Sequence, residues 1–133
     1  MRVSFTEREL DVMAVLWERG SATVAEVREK LPDDLAYTTV LSVLRTLEEK
    51  GHVGHREEGK AHRYHPLVER RVAGRSALAR LIDTVFNGSP ELLLTQLVTD
   101  RDLTEDQIKR LRRLMDARLK GDKRGPSSGS VMP

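Results

Sequence analysis

LAYTTVLSVLRTLEEKGHVGHREEGKAHRYHP, residues 35–66, runs a short apolar-faced helix straight into a tight basic hairpin, and that order predicts a winged helix-turn-helix. Val40, Val43, Leu44 and Leu47 recur at three- and four-residue spacing, which places them in one buried stripe, and Gly51 stands where a left-handed residue would end the helix. The other face carries Thr38, Thr39, Leu41, Ser42, Arg45 and Thr46. Short side chains let a helix sit deep in a major groove, and Arg45 is long enough to reach a base edge or a phosphate. Thr38 and Thr39 fall in the first turn, where hydroxyls and open backbone N–H groups suit phosphate. Leu41 lies off the stripe, either to meet a thymine methyl or as an extra core leucine. Taken alone, the segment reads equally well as a core helix with a solvated face; the hairpin behind it moves the balance.

That hairpin is read as His52 to Arg56, a turn at Glu57-Glu58-Gly59-Lys60, and Ala61 to His65, stopped by Pro66. Two strands this short are not stable alone, so they must lean on helices. Val53 and Tyr64 are expected to pack inward. Arg56, Lys60 and Arg63 are expected to project beside the recognition helix and touch phosphates; the competing reading is an edge hairpin whose charges only keep it soluble.

Working outward, Thr6-Glu7-Arg8-Glu9 is a capping box opening a helix to about Arg19, with Leu10, Met13, Leu16 and Trp17 near its apolar face and Gly20 closing it. Thr23-Val24-Ala25-Glu26 repeats the device through Leu31, and Pro32-Asp33-Asp34 turns the chain toward the helix of Tyr37 to Lys50. The expected fold class is mainly α: a winged helix-turn-helix head with a small β-hairpin wing over residues 1–66, then a helical dimerisation domain over 67–120. In that second part, Leu78, Leu81, Ile82, Val85 and Phe86 mark a long helix ended by Asn87-Gly88. Ser89-Pro90 opens a leucine-rich helix, and Thr104-Glu105-Asp106-Gln107 opens a last one. Stripes of this kind on three short helices are best covered by a second copy, although they could fold back on the chain's own head. Residues 121–133, rich in Gly, Ser and Pro, read as a disordered tail.

Charge and composition limit the function. The 133 residues carry a formal net charge of +2 and no cysteine, which removes disulfides, thiolate metal sites and cysteine nucleophiles. Residues 1–66 hold ten Lys or Arg against twelve Asp or Glu, a net of −2, and residues 67–133 hold thirteen against nine, a net of +4. A head that is not basic overall needs two copies acting on one DNA site, with Glu7, Glu9, Asp11 and Glu18 placed on its far side. The absence of a signal-like run or of the roughly 20 apolar residues of a membrane span makes a cytoplasmic compartment, without membrane insertion, the expectation. No phosphate loop, metalloprotease helix motif or nucleophile elbow is present, so an enzyme is not expected, nor is a cofactor. A metal-responsive alternative rests on the wing histidines. If Arg56 pairs with Ala61, His55 faces His62 and His52 faces His65, but on opposite faces, so they form no four-ligand site. The loss of DNA binding in favour of protein interaction is a further alternative, supported only by the net charge of the head.

Together, Thr6-Glu7-Arg8-Glu9-Leu10-Asp11-Val12-Met13 with Leu16-Trp17, Thr23-Val24-Ala25-Glu26-Val27, Ala36-Tyr37-Thr38-Thr39-Val40 with Leu44 and Leu47, and Tyr64-His65-Pro66 resemble the penicillinase-repressor family, the BlaI and MecI type of winged-helix regulator. The resemblance implies a homodimeric repressor on a double-stranded DNA operator of dyad symmetry. It also implies relief by a membrane metalloprotease sensor system that triggers cleavage in the dimerisation part. In the best-known members the cut lies between Asn and Phe, and the matching pair here is Gln96 and Leu97, a departure from that pattern. The family's copper-responsive branch uses a C-terminal cysteine cluster that this chain lacks.

Overall fold

Three threonines start three of the helices by one device. The Thr6 side chain accepts from the Glu9 backbone N–H at 3.1 Å while the Glu9 carboxylate accepts from the Thr6 N–H at 2.8 Å, and Thr23 with Glu26 and Thr104 with Gln107 repeat the exchange. Each satisfies two of the N–H groups that a helix start leaves open. The computed structural model describes residues 3–121, and in it these caps open α1 (Glu7–Arg19), α2 (Val24–Lys30) and α6 (Glu105–Leu119). The other helices are α3 (Tyr37–Glu49), α4 (Arg70–Thr84) and α5 (Pro90–Asp100), the last capped by Ser89. The reading of residues 121–133 as disordered falls, from residue 122 on, outside the described residues.

The hairpin is β2 (Val53–Glu58) and β3 (Ala61–Pro66), longer than expected, and its register differs. Glu58 pairs with Ala61, leaving Gly59-Lys60 as a two-residue loop with Gly59 at φ +63°. A loop with a left-handed first residue matches the twist of its strands, so Glu57 and Glu58 extend the ladder instead of forming the turn. Arg56 therefore faces Arg63, His55 faces Tyr64 and Gly54 faces His65; neither histidine pair of the metal-responsive reading stands directly opposite across the ladder, although the His55 and His62 rings meet diagonally and stack with centroids 4.4 Å apart. A third strand that the sequence pattern does not announce, β1 (Ala22–Thr23), pairs with β3 to give the order β1-β3-β2.

The core lies under this sheet and between the first three helices. Val12, Met13 and Leu16 of α1, Val27 of α2, Val40, Leu44 and Leu47 of α3, and Val53 and Tyr64 of the sheet are buried in one cluster. Val43 and Leu41 are partly buried against it. Trp17 ties the chain beyond the wing to this core: its indole N–H donates to the Val68 carbonyl at 2.8 Å, and the Arg70 guanidinium lies 5.6 Å from the ring centroid. The Ser76 hydroxyl donates to the Val3 carbonyl, and Val68 and Ala73 are buried. The first compact unit accordingly runs to Ser76, past the boundary expected after Pro66, and the second begins at Ala77.

Two polar groups enter the core of the first unit. Glu9, expected on the far side of the head, is buried and meets the Lys50 ammonium at 2.8 Å. Burial alone would raise its carboxyl pKa, but the Lys50 ammonium and the Thr6 N–H outweigh it and hold the group below the usual range. His52 is buried beneath Phe5, with ring centroids 4.9 Å apart, and its Nδ1 has no partner. Burial, with help from the Lys50 charge, lowers its pKa. The unfolded chain then binds more protons than the folded one once pH drops below the ordinary imidazole value of about 6.5, so stability present above that value is lost as pH falls through the folded pKa. Urea titrations should show this loss, and His52→Gln, which cannot be protonated, should flatten it. An unchanged slope in the variant would assign the acid sensitivity elsewhere.

Candidate nucleic-acid interface

α3 turns Val40, Leu44 and Leu47 inward and leaves Thr38, Thr39, Ser42 and Arg45 exposed. Its N-cap, Ala36, supplies no side-chain hydrogen bond, so no side chain claims the first-turn N–H groups, although that of Thr39 donates to the Ala36 carbonyl at 3.0 Å. Thr46 is half-buried and bends back to donate to the Ser42 carbonyl at 3.1 Å, which occupies its hydroxyl proton. Leu41 packs partly against the core, closer to the structural of its two expected roles.

On the wing, Arg56 and Lys60 are exposed and make no salt bridge among the described residues. Arg63 does not project with them. Its guanidinium is held by the Glu58 carboxylate across the hairpin and by Glu26 Oε1 of α2 at 3.1 Å, and the side chain is only 17% exposed. These two carboxylates, Glu58 first, raise its pKa above the ordinary arginine value. Two neutralising partners make Arg63 a brace between wing and α2, because a phosphate would have to displace carboxylates already in place. Periodicity could not reveal this, since Glu26 is far from Arg63 along the chain. Arg45, Arg56 and Lys60 thus remain as the exposed cations of the expected surface, beside the exposed hydroxyls of α3.

Gln96 and Leu97 lie within α5, where the Gln96 amide donates to Asp100 at 2.8 Å and Leu97 is 38% exposed. Neither α5 nor α6 contains a buried residue. No helix among the described residues is long and apolar enough to cross a membrane.

A helical head whose third helix presents polar side chains next to a projecting two-stranded wing defines a winged-helix DNA-binding regulator. Residues 5–117 match the family model described as penicillinase repressor, and the chain belongs to that family of transcriptional repressors, which are not enzymes. It is 36% identical over 130 residues to the transcriptional regulator BlaI of Mycobacterium tuberculosis, covering 92% of this chain and 91% of that protein. It is 24% identical over 110 residues to the methicillin resistance regulatory protein MecI of Staphylococcus aureus, covering 81% of this chain and 89% of MecI. Among solved structures, MarR from E. coli complexed with operator DNA shares the fold, with a TM-score of 0.52 and 17% identity over 87% of this chain and 76% of that one.

Proposed function

We propose that this repressor acts as a homodimer on an operator of dyad symmetry, each copy placing α3 in a major groove and its wing tip on the flanking phosphates. The observation that carries the reading is the bare second unit. Leu92, Leu94, Leu97, Val98, Ile108 and Met115 are all at least 36% exposed on helices with nothing buried, a density of apolar surface that a second copy would cover. Two heads on one site also answer the charge problem, because joining weak readers raises the effective concentration of the second without new contacts. Release in this reading comes from cleavage in α5, at Gln96–Leu97, where a cut would divide the apolar surface. The protease in this reading is a membrane metalloprotease sensor, the partner that the family resemblance implies. The DNA-facing residues in this reading are Thr38, Thr39, Ser42 and Arg45 of α3, with Arg56 and Lys60 of the wing, while Leu41 and Thr46 sit at the edge of that face, turned partly into the helix and core.

Binding sites selected from random duplex DNA would give the operator and test the reading face. On that operator Arg45→Ala should cost about 1–3 kcal/mol and relax sequence preference if it meets a base. Lys60→Ala should weaken binding on every sequence and lower the salt-dependence slope by about one unit per head. Unchanged operator binding in both variants would reject this face.

A further inference from the structure

The chain has one Trp, two Tyr and two Phe, and of these only Tyr37 is left exposed. Tyr64 is fully buried, Phe5 and Trp17 pack against the core and Phe86 is half-buried, whereas Tyr37 is 47% exposed. The spacing of residues 37, 40, 44 and 47 carries the buried stripe of α3 back to Tyr37, so periodicity alone would assign the ring to the core. Burial on α3 begins only at Val40. Among the described residues the Tyr37 phenol makes no hydrogen bond and its ring stacks on no other. Tyr37 also opens a second row: residues 37, 41 and 45, four apart, share one flank of the helix, and Arg45 at its far end is exposed. That flank looks onto the base of the wing. The Tyr64 phenol, whose pKa is raised by burial first and by Glu48 next, is also acted on by Arg45, which lowers it, and by Tyr37, which raises it. Tyr37 and Arg45 therefore border the seam between α3 and the wing.

We propose that Tyr37 is a phosphate-binding residue of this repressor, its ring lying along the DNA strand that crosses the seam and its phenol O–H donating to a phosphate oxygen. The proposal rests on α3 and the wing being the DNA-facing surface. When α3 occupies a major groove and the wing tip meets the flanking phosphates, the sugar–phosphate strand bordering that groove must pass over the seam between them. Tyrosine hydroxyls are among the groups that bind such phosphates, and the rigid ring gives contact area against the sugar while fixing only two side-chain torsions. A phenol brings a donor but no charge. It therefore releases no counterion when it meets a phosphate, which separates its signature from that of Arg56 or Lys60. Residues 1–66 carry a net charge of −2 and Arg63 is already braced, so an uncharged contact adds affinity where free cations are few.

The test is Tyr37→Phe in the full chain, measured by fluorescence anisotropy on the selected operator, on a set of its single base-pair variants, and across a salt series. Loss of the hydroxyl should weaken binding by roughly threefold to tenfold per head. The loss should be equal on every duplex in the set and should leave the salt-dependence slope unchanged. The urea midpoint should stay where it is, because the group removed has no partner within the described protein. Unchanged affinity overturns the assignment. So does a loss confined to particular base pairs, which would mark a base contact, or a fall in slope of about one unit per head, which would mark a displaced cation. A fall in the urea midpoint that matches the loss in binding overturns it too, by marking a structural role. If Arg45→Ala and Lys60→Ala bind as the unaltered protein does, the whole surface is wrong and the proposal falls with it; if they weaken binding while Tyr37→Phe does not, only the tyrosine assignment fails.

Discussion

A chain ending at Ser76 should remain folded, sediment as a monomer, and bind the operator about a hundredfold more weakly than the full chain. The expectation of a folded fragment follows from packing: the core cluster, the Trp17 bond to Val68 and the Ser76 bond to Val3 all lie within this unit. The expectation of weak binding follows from charge and valency. Residues 1–76 carry thirteen Lys or Arg against thirteen Asp or Glu, a net of zero, and bracing by Glu26 and Glu58 removes Arg63 from the cations free to meet phosphate. One such head has few counterions to release, so nearly all useful affinity would come from tethering two. Sedimentation with fluorescence anisotropy on the selected operator measures both quantities. A fragment that dimerises, or that binds as the full chain does, would contradict the division of roles. A cut between Gln96 and Leu97 should lower operator affinity in the same way, and mass mapping of the repressor under inducing conditions checks whether it occurs. Induction with the chain intact would falsify proteolytic release.

Replacing Tyr64 by alanine should cost about 3–5 kcal/mol, the range for deleting a large buried aromatic ring. Tyr64 is the largest of the fully buried side chains, sits on the central strand of the sheet, and faces Ala22 on one neighbour and His55 on the other. Its loss would open a cavity where the wing joins the helices, in a unit with a small core and few aromatics to fill it. Urea titration should show the midpoint falling with little change in slope, while Tyr64→Phe, which keeps the ring, should stay within about 1.5 kcal/mol of the unaltered protein. DNA binding by Tyr64→Ala should fail because the wing loses its anchor. An alanine variant of ordinary stability would mean that the wing is seated by other contacts.

Features that depend on neighbours a few residues away were legible in the chain alone. The three capping boxes, the Gly51 and Asn87-Gly88 helix endings, the Val40–Leu44–Leu47 stripe and the inward Val53 and Tyr64 are all of this kind. A cap needs only a side chain three residues from the N–H it serves, and a stripe needs only a period, so both are readable from the chain. The exposed hydroxyl face of α3 with Arg45 was legible for the same reason. Tertiary structure alone decided the rest of the interface. The strand β1 exists because Ala22 and Thr23 meet a strand some forty residues later, and sequence offers no signal for so short a pairing. Glu9 is buried because Lys50 arrives beside it, and Arg63, expected from sequence to project with the other wing cations, does not, because Glu26 and Glu58 converge on it. The wing register turned on whether Glu57 and Glu58 belonged to the loop or the ladder, a choice settled by Gly59 adopting a left-handed conformation. Charges and imidazoles find their partners through space, and a one-dimensional pattern records their spacing but not who stands opposite them.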